Sequence, residues 1–212
     1  MSATEPSDRE LLERWNTGDA ECGSMLVRRH NRQLCLFLLS KVGPDALDDV
    51  TQAVYETLVR RANAIGEGNS VKGFLFGIAR HKVIEHYRGK RKQRDRYGPL
   101  EYSVAGALGS SATQELQRQS EDQLAVLALR QLTIDDQMLL EMAVHLAMTR
   151  DELAQVYGTT AGQVGGRIHR AKKRLAKELQ QLQASPAQIE STETSLESHW
   201  KMLRAISEKM LH

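Results

Sequence analysis

From Asp8 to Lys41 apolar residues recur at helical spacing: Leu11, Leu12 and Trp15, then Met25, Leu26, Leu34, Leu36, Phe37 and Leu38. Asn16–Thr17–Gly18–Asp19 interrupts the pattern and reads as a helix end followed by an N-cap. Gly43–Pro44–Asp45 interrupts it again. Pro44 cannot sit inside a helix, and Asp45 is placed to cap the next one, expected from about Ala46 to Arg61. The glycine-rich polar run Ile65–Gly66–Glu67–Gly68–Asn69–Ser70 predicts a loop. Ser70 can cap a further helix through about Arg91, carrying Phe74, Leu75, Phe76, Ile78, Ala79, Val83, Ile84 and Tyr87.

The pattern then lapses. Gly98 to Thr113 holds a proline and many small residues without a sustained period, which predicts a linker. Helical periodicity resumes near Glu115 and runs to about Leu182, where Ser185–Pro186 closes it. Ser195 to His212 predicts a short amphipathic helix with Trp200, Leu203, Ile206 and Met210 on one side. The expectation is an all-α chain with no strand pattern. A helical domain over 1–95 is followed by a flexible linker over 96–118, a second helical domain over 119–183 and a C-terminal extension over 184–212.

Charge sharpens this outline. The net charge is only +2. Yet Lys72 to Arg96 holds nine Lys/Arg against two acids, and Gln163 to Lys177 holds six with no acid. Two dense basic clusters in a near-neutral chain suggest two contacts with a polyanion. Residues 1–21 are acidic and lack an apolar stretch, so they do not read as a signal peptide. No apolar run approaches membrane-spanning length, and a cytoplasmic location is expected. Cys22 and Cys35, thirteen residues apart, read as inert thiols on helices rather than a disulfide or metal site. No nucleophile–base pairing, phosphate loop or metal spacing stands out, so neither an enzyme nor a cofactor is expected.

The most informative segment is Thr149 to Leu175, TRDELAQVYGTTAGQVGGRIHRAKKRL. Thr149 and Glu152 form a capping-box pattern, and Gly158 stands where a helix needs a left-handed ending. Thr159 or Thr160 then caps a second helix pinned by Val164, Ile168 and Leu175, with Arg167, His169, Arg170, Lys172, Lys173 and Arg174 directed outward. Two short helices, a glycine turn and a basic second helix describe a DNA-reading helix-turn-helix. Its candidate DNA contacts are Thr160, Gln163, Arg167, His169, Arg170, Lys173 and Arg174.

The first domain indicates which kind of DNA binder this is. DALDDVTQAVYETL from Asp45 to Leu58 and KGFLFGIARHKVIEHYRGKRK from Lys72 to Lys92 resemble signature segments of extracytoplasmic-function sigma factors. So do the opening stretch from Asp8 and the stretch Gly162 to Leu175, and the resemblance covers roughly residues 8–182 in order. It implies a subunit of bacterial RNA polymerase that binds the core enzyme and promoter DNA, as duplex and as melted single strand. The implied polymerase contacts are Asp45, Asp48, Asp49, Gln52 and Tyr55. The implied minus-ten contacts are Phe74, Arg80, His81, Lys82, Tyr87, Arg88, Arg91 and Lys92, with the loop Ile65–Val71 capturing a base. Aromatic and basic side chains together suit single strands, through stacking and phosphate attraction, although the spacing also permits burial of Phe74 or Phe76. The helix-turn-helix would read the minus-thirty-five element.

Three departures stand out. Leu47 and Ala53 occupy positions that are commonly acidic in the family, and Thr51 lies between Asp48 and Tyr55. A phosphate on Thr51 would add about −1.5 to −2 charges. Thr51 is therefore a candidate phosphorylation switch, with a Ser/Thr kinase or another regulator as its partner. Gly165 and Gly166 remove side chains from the early recognition helix. The extension after Ser185 is the third. The main alternative is a helix-turn-helix regulator acting without polymerase. A third possibility is an interaction-only protein that has lost DNA binding through the two glycines.

Overall fold

A computed structural model describes residues 5–97 and 127–182, with side chains over 5–90 and 127–182, and every described element is helical. Helix α1, Asp8–Asn16, starts at a capping box between Ser7 and Glu10. Helix α2, Ala20–Val42, is capped by Asp19, whose carboxylate accepts from the Cys22 amide. A 3₁₀ turn, Pro44–Ala46, leads into α3, Leu47–Arg61. Asp45 lies inside that turn and caps nothing; α3 begins after Ala46 with no side-chain cap. Proline sits at the first helical position of the turn, where its missing N–H costs no hydrogen bond. Helix α4, Val71–Tyr97, follows the expected loop, and the Ser70 hydroxyl accepts from the Gly73 amide as its cap. It passes the expected end near Arg91, so the first two residues assigned to the linker are helical. The rest of that linker and the whole of 184–212 lie outside the described residues.

The described residues resume with a helical stretch over 127–131, followed by α5, Ile134–Leu140, capped by Thr133. A π-helical turn, Glu141–His145, joins α5 to the segment before α6, Arg150–Tyr157. The Thr149–Glu152 capping box is present, and Gly158 ends α6 at φ +58°. Glycine suits this left-handed position because it carries no Cβ. Helix α7, Ala161–Gln181, is capped by Thr160 in a second capping box with Gln163.

The two domains are not separate bodies on a string. One apolar core runs from Leu11, Phe37, Val54 and Phe76 through Val156 to Leu139, Val164 and Leu175. Helices α4 and α6 form its seam. Gly73 permits their close approach, since a Cβ there would stand 2.9 Å from Gln155 Oε1. Deep in the seam Lys41 at the end of α2 pairs with Glu141 of the π-helical turn, their side chains only 2% and 5% exposed. The Lys41 ammonium also lies 5.4 Å from the Phe37 ring centroid. Burial pushes the Glu141 carboxyl above its ordinary value, and Lys41 only partly opposes this.

Candidate nucleic-acid interface

Helix α3 turns Val50, Val54 and Leu58 into the core. Its opposite side leaves Asp48, Asp49 and Gln52 exposed, with Asp45 exposed just before it. Tyr55 is half-buried and donates its hydroxyl to Asn31 Oδ1 at 3.0 Å. Leu47 is a core residue, 6% exposed, so its departure from an acidic pattern reflects packing. Thr51 also faces inward: its Oγ1 is closed to solvent and turned towards the Cys35 thiol. A kinase could not reach that oxygen without displacing α3, and the geometry does not favour the expected phosphorylation switch. Cys22 is buried and Cys35 half-buried, and burial raises both thiols above their ordinary pKa. Among the described residues no cluster suits a metal ion, and no helix is long and apolar enough to cross a membrane.

On α4 the expected DNA contacts divide. Phe76 is fully buried, edge-on to Phe37 with centroids 5.4 Å apart, and Phe74 is half-buried against the core. Tyr87 donates its hydroxyl to the Lys41 carbonyl at 2.7 Å, which ties α4 to α2. Its ring is half-buried rather than open for stacking. His81 and Arg88 are exposed, with His81 and Lys82 both near Glu85 at 3.2 and 3.0 Å. The side chains of Arg91 and Lys92 lie outside the described residues. Arg80 is held elsewhere: its Nε donates to Asp135 Oδ1 at 2.8 Å, and its guanidinium stands 4.4 Å from the Tyr157 ring centroid. Burial opposes the Arg80 charge, but Asp135 outweighs it and its pKa rises.

Helix α7 buries Val164, Ala171, Leu175 and Leu179 and exposes Gln163, His169, Arg170, Lys173 and Arg174, with Thr160 exposed at its cap. Arg167 does not point outward as expected. Its Nη2 donates to Asp135 Oδ2 at 2.7 Å, and its guanidinium also stands 4.4 Å from the Tyr157 centroid. Arg174, though exposed, donates twice to Asp136, at 2.9 and 2.7 Å. Sequence reasoning did not single out Asp135, Asp136, Gln155 or Tyr157. The two acids look like ordinary first-turn residues that favour a helix N-terminus. Nothing in the sequence says which cations they would meet.

Gly165 and Gly166 sit in open backbone. A Cβ at Gly165 would meet only the Arg150 guanidinium at 3.9 Å, and one at Gly166 would meet the mobile end of Arg170 at 3.4 Å. Each glycine therefore costs helix stability for no packing reason. Gly165→Ala is expected to raise unfolding stability by about 0.5–1 kcal/mol, measured by urea denaturation.

Residues 26–93, spanning most of α2 through the exposed part of α4, match the family described as Sigma-70 region 2. Over 186 residues the chain is 27% identical to the RNA polymerase sigma factor NccH of Alcaligenes xylosoxydans xylosoxydans, covering 85% of this chain and 99% of that protein. Over these stretches the chain is similar to bacterial sigma factors. The chain shares its fold with CnrH, solved in complex with the cytosolic domain of CnrY. The identity is 22% and the TM-score 0.59, over 82% of this chain and 97% of that one. It likewise resembles the sigma factor RpoE in complex with the anti-sigma factor NepR from Bartonella quintana. There the identity is 20% and the TM-score 0.52, over 76% of this chain and 97% of that one. In this chain the exposed acids of α3 and the basic faces of α4 and α7 lie on three different helices, each held by the common core.

Proposed function

We propose that this chain binds core RNA polymerase and directs promoter recognition and transcription initiation. The similarity to sigma factors supports the general role. For the individual faces, Asp45, Asp48, Asp49 and Gln52, with Tyr55 at their border, form the docking surface. Exposed carboxylates on a rigid helix suit a basic partner by steering encounter and fixing register. Helix α4, through Phe74, Arg80, His81, Lys82, Tyr87, Arg88, Arg91 and Lys92, faces the minus-ten element together with the loop before it. Helix α7, through Thr160, Gln163, Arg167, His169, Arg170, Lys173 and Arg174, reads the minus-thirty-five duplex, with its cations on phosphates and its early residues at base edges.

The observation that carries this reading is the exposed acidic strip of α3, packed on the same apolar core as two basic faces. A repressor needs the basic faces but has no use for the strip. Run-off transcription with core polymerase tests the reading. Promoter-specific transcripts are expected only when polymerase and this chain are both present. Asp48→Ala/Asp49→Ala should lower polymerase pull-down and run-off by about tenfold, or ~1.4 kcal/mol. Arg170→Ala/Lys173→Ala should leave pull-down intact and reduce the salt slope of holoenzyme–promoter binding by about 2. Strong, specific duplex binding that polymerase does not improve would instead identify a regulator acting alone. The buried hydroxyl of Thr51 favours a packing role over phosphate gating, so Thr51→Ala is expected to match wild type in the same pull-down.

A further inference from the structure

The loop before α4 is pinned at both ends. Ile65 enters it buried, and Ser70 leaves it as the cap of α4. Between them the chain makes a β-turn, in which the Asn69 amide donates to the Gly66 carbonyl at 3.1 Å. Gly68 takes the third position of that turn at φ +84°, where a type II turn calls for glycine. A Cβ at Gly68 would meet nothing within 4 Å, so the space over the turn is open. Gly66, Glu67, Gly68 and Asn69 are all exposed. A turn this open costs backbone entropy to hold in one conformation. A side chain of α1 reaches its closing carbonyl. Arg9 donates through Nη1 to the same Gly66 oxygen at 3.0 Å, across 57 positions of sequence. Arg9 Nε donates to Glu13 Oε1 at 2.8 Å, one helical turn along. The Glu13 carboxylate therefore answers the charge and sets the plane of the guanidinium, leaving Nη1 for a neutral acceptor. A cation committed in this way suits holding backbone better than attracting phosphate. The Gly66 carbonyl has two lone pairs, and the Asn69 amide and Arg9 use both. Arg9, Glu13 and Gly66 all precede α4, so the contact needs nothing from α5 to α7.

We propose that Arg9 is a positioning residue for the minus-ten strand: oriented by Glu13, it holds the Gly66–Asn69 turn in the conformation that receives an unstacked base. This rests on the reading above, in which the loop before α4 faces the minus-ten element. Arg9 touches no base in this role. It acts by removing the ordering cost that a free turn would bear on binding. Because the turn meets one base, the effect of Arg9 belongs to a single position of the melted strand. A phosphate contact would act differently, weakening every sequence alike and lowering the salt slope. Lysine at this position offers a donor for the carbonyl but lacks the planar fork that serves Glu13 at the same time, so it restores the contact only in part.

Holoenzyme assembled from the full chain and core polymerase tests this, on a pre-melted template carrying a promoter identified by run-off transcription. Each position of the non-template minus-ten strand is replaced in turn by an abasic site, and affinity is read by fluorescence anisotropy. In wild type one position should show a penalty of about tenfold, the scale of one stacked base. Arg9→Ala should bind the intact template about tenfold more weakly and lose most of that penalty, so the two changes are not additive. Arg9→Lys should recover part of both, and Glu13→Ala should fall between Arg9→Ala and wild type. Arg28→Ala removes an exposed arginine paired with Glu21 on α2 and, as the control, should match wild type. Polymerase pull-down should be unchanged in every variant. No abasic penalty at any position in wild type would defeat the assignment of the loop to a base, and this proposal with it. A wild-type penalty that survives in Arg9→Ala would overturn the role of Arg9 alone. Equal weakening of intact and abasic templates by Arg9→Ala, or a matching loss in Arg28→Ala, would overturn it in favour of a general charge effect. Loss of pull-down in Arg9→Ala with a lowered urea midpoint would overturn it in favour of a purely structural arginine.

Discussion

Lys41→Met is expected to destabilise the fold by about 3–5 kcal/mol, because it leaves Glu141 buried without its counter-charge. The pair lies in the seam, both side chains almost wholly shielded from water. The effect has a definite pH signature. In the wild type burial already raises the Glu141 carboxyl above its unfolded value of 4.5. A carboxyl raised on folding binds its proton more tightly in the native state. Its contribution to stability is therefore greatest below the unfolded pKa and declines as pH rises through the folded one. Loss of the lysine lifts the folded value further and extends that decline to higher pH. Urea denaturation of Lys41→Met should show a larger deficit at pH 8 than at pH 5. A double variant, Lys41→Met/Glu141→Leu, removes both desolvated charges and should recover most of the lost stability. A deficit in the single variant that does not change with pH would show that the lost aliphatic packing of Lys41, rather than the orphaned carboxylate, dominates.

Phe76→Ala is the second large effect, about 3–5 kcal/mol by the usual cost of emptying an aromatic core site. Phe76 is fully buried and meets Phe37 edge-on, so the substitution removes both contact area and a favourable ring geometry. The two rings join α2 to α4, and α4 in turn packs on α6. The loss should appear as a lower urea midpoint with little change in slope, and the exposed α3 face should keep its affinity for polymerase at temperatures where the variant remains folded. Phe74→Ala, at a half-buried position, should cost much less. Comparable losses at both positions would mean that Phe74 is also a core residue and would remove it from the candidate strand contacts.

These two results bear on how access to polymerase and DNA is controlled. The sequence alone points to a docking helix depleted of acids at Leu47 and Ala53, with a modifiable threonine between its remaining carboxylates. The packing moves attention from α3 to the seam. Leu47 is in the core, the Thr51 hydroxyl faces Cys35, and Asp48, Asp49 and Gln52 stay exposed. What is engaged is the side that holds the expected DNA contacts: Arg80, Arg167 and Ser70 all have partners across or beside the domain boundary.

Periodicity and capping chemistry, which act within a few residues, were sufficient by themselves for helices α1 to α4, α6 and α7, the loop before α4, the capping box at Thr149 and the left-handed ending at Gly158, but not for α5 or the π-helical turn after it. A hydrogen bond from i to i+3 or an apolar face at 3.6-residue spacing needs no knowledge of the rest of the chain. The basic faces and the acidic strip were legible for the same reason, since charge density along a helix is a local property. Only the tertiary structure decided that Asp45 caps nothing, that Tyr87 ties α4 to α2, and that Arg167 folds back on Asp135 instead of facing outward. Only it brought Lys41 to Glu141 and Gln155 to Ser70. These partners are separated by 100 and 85 residues. Their pairing depends on two surfaces meeting in one register, set by the shared core and by the absence of a Cβ at Gly73, and no pattern confined to one helix encodes it.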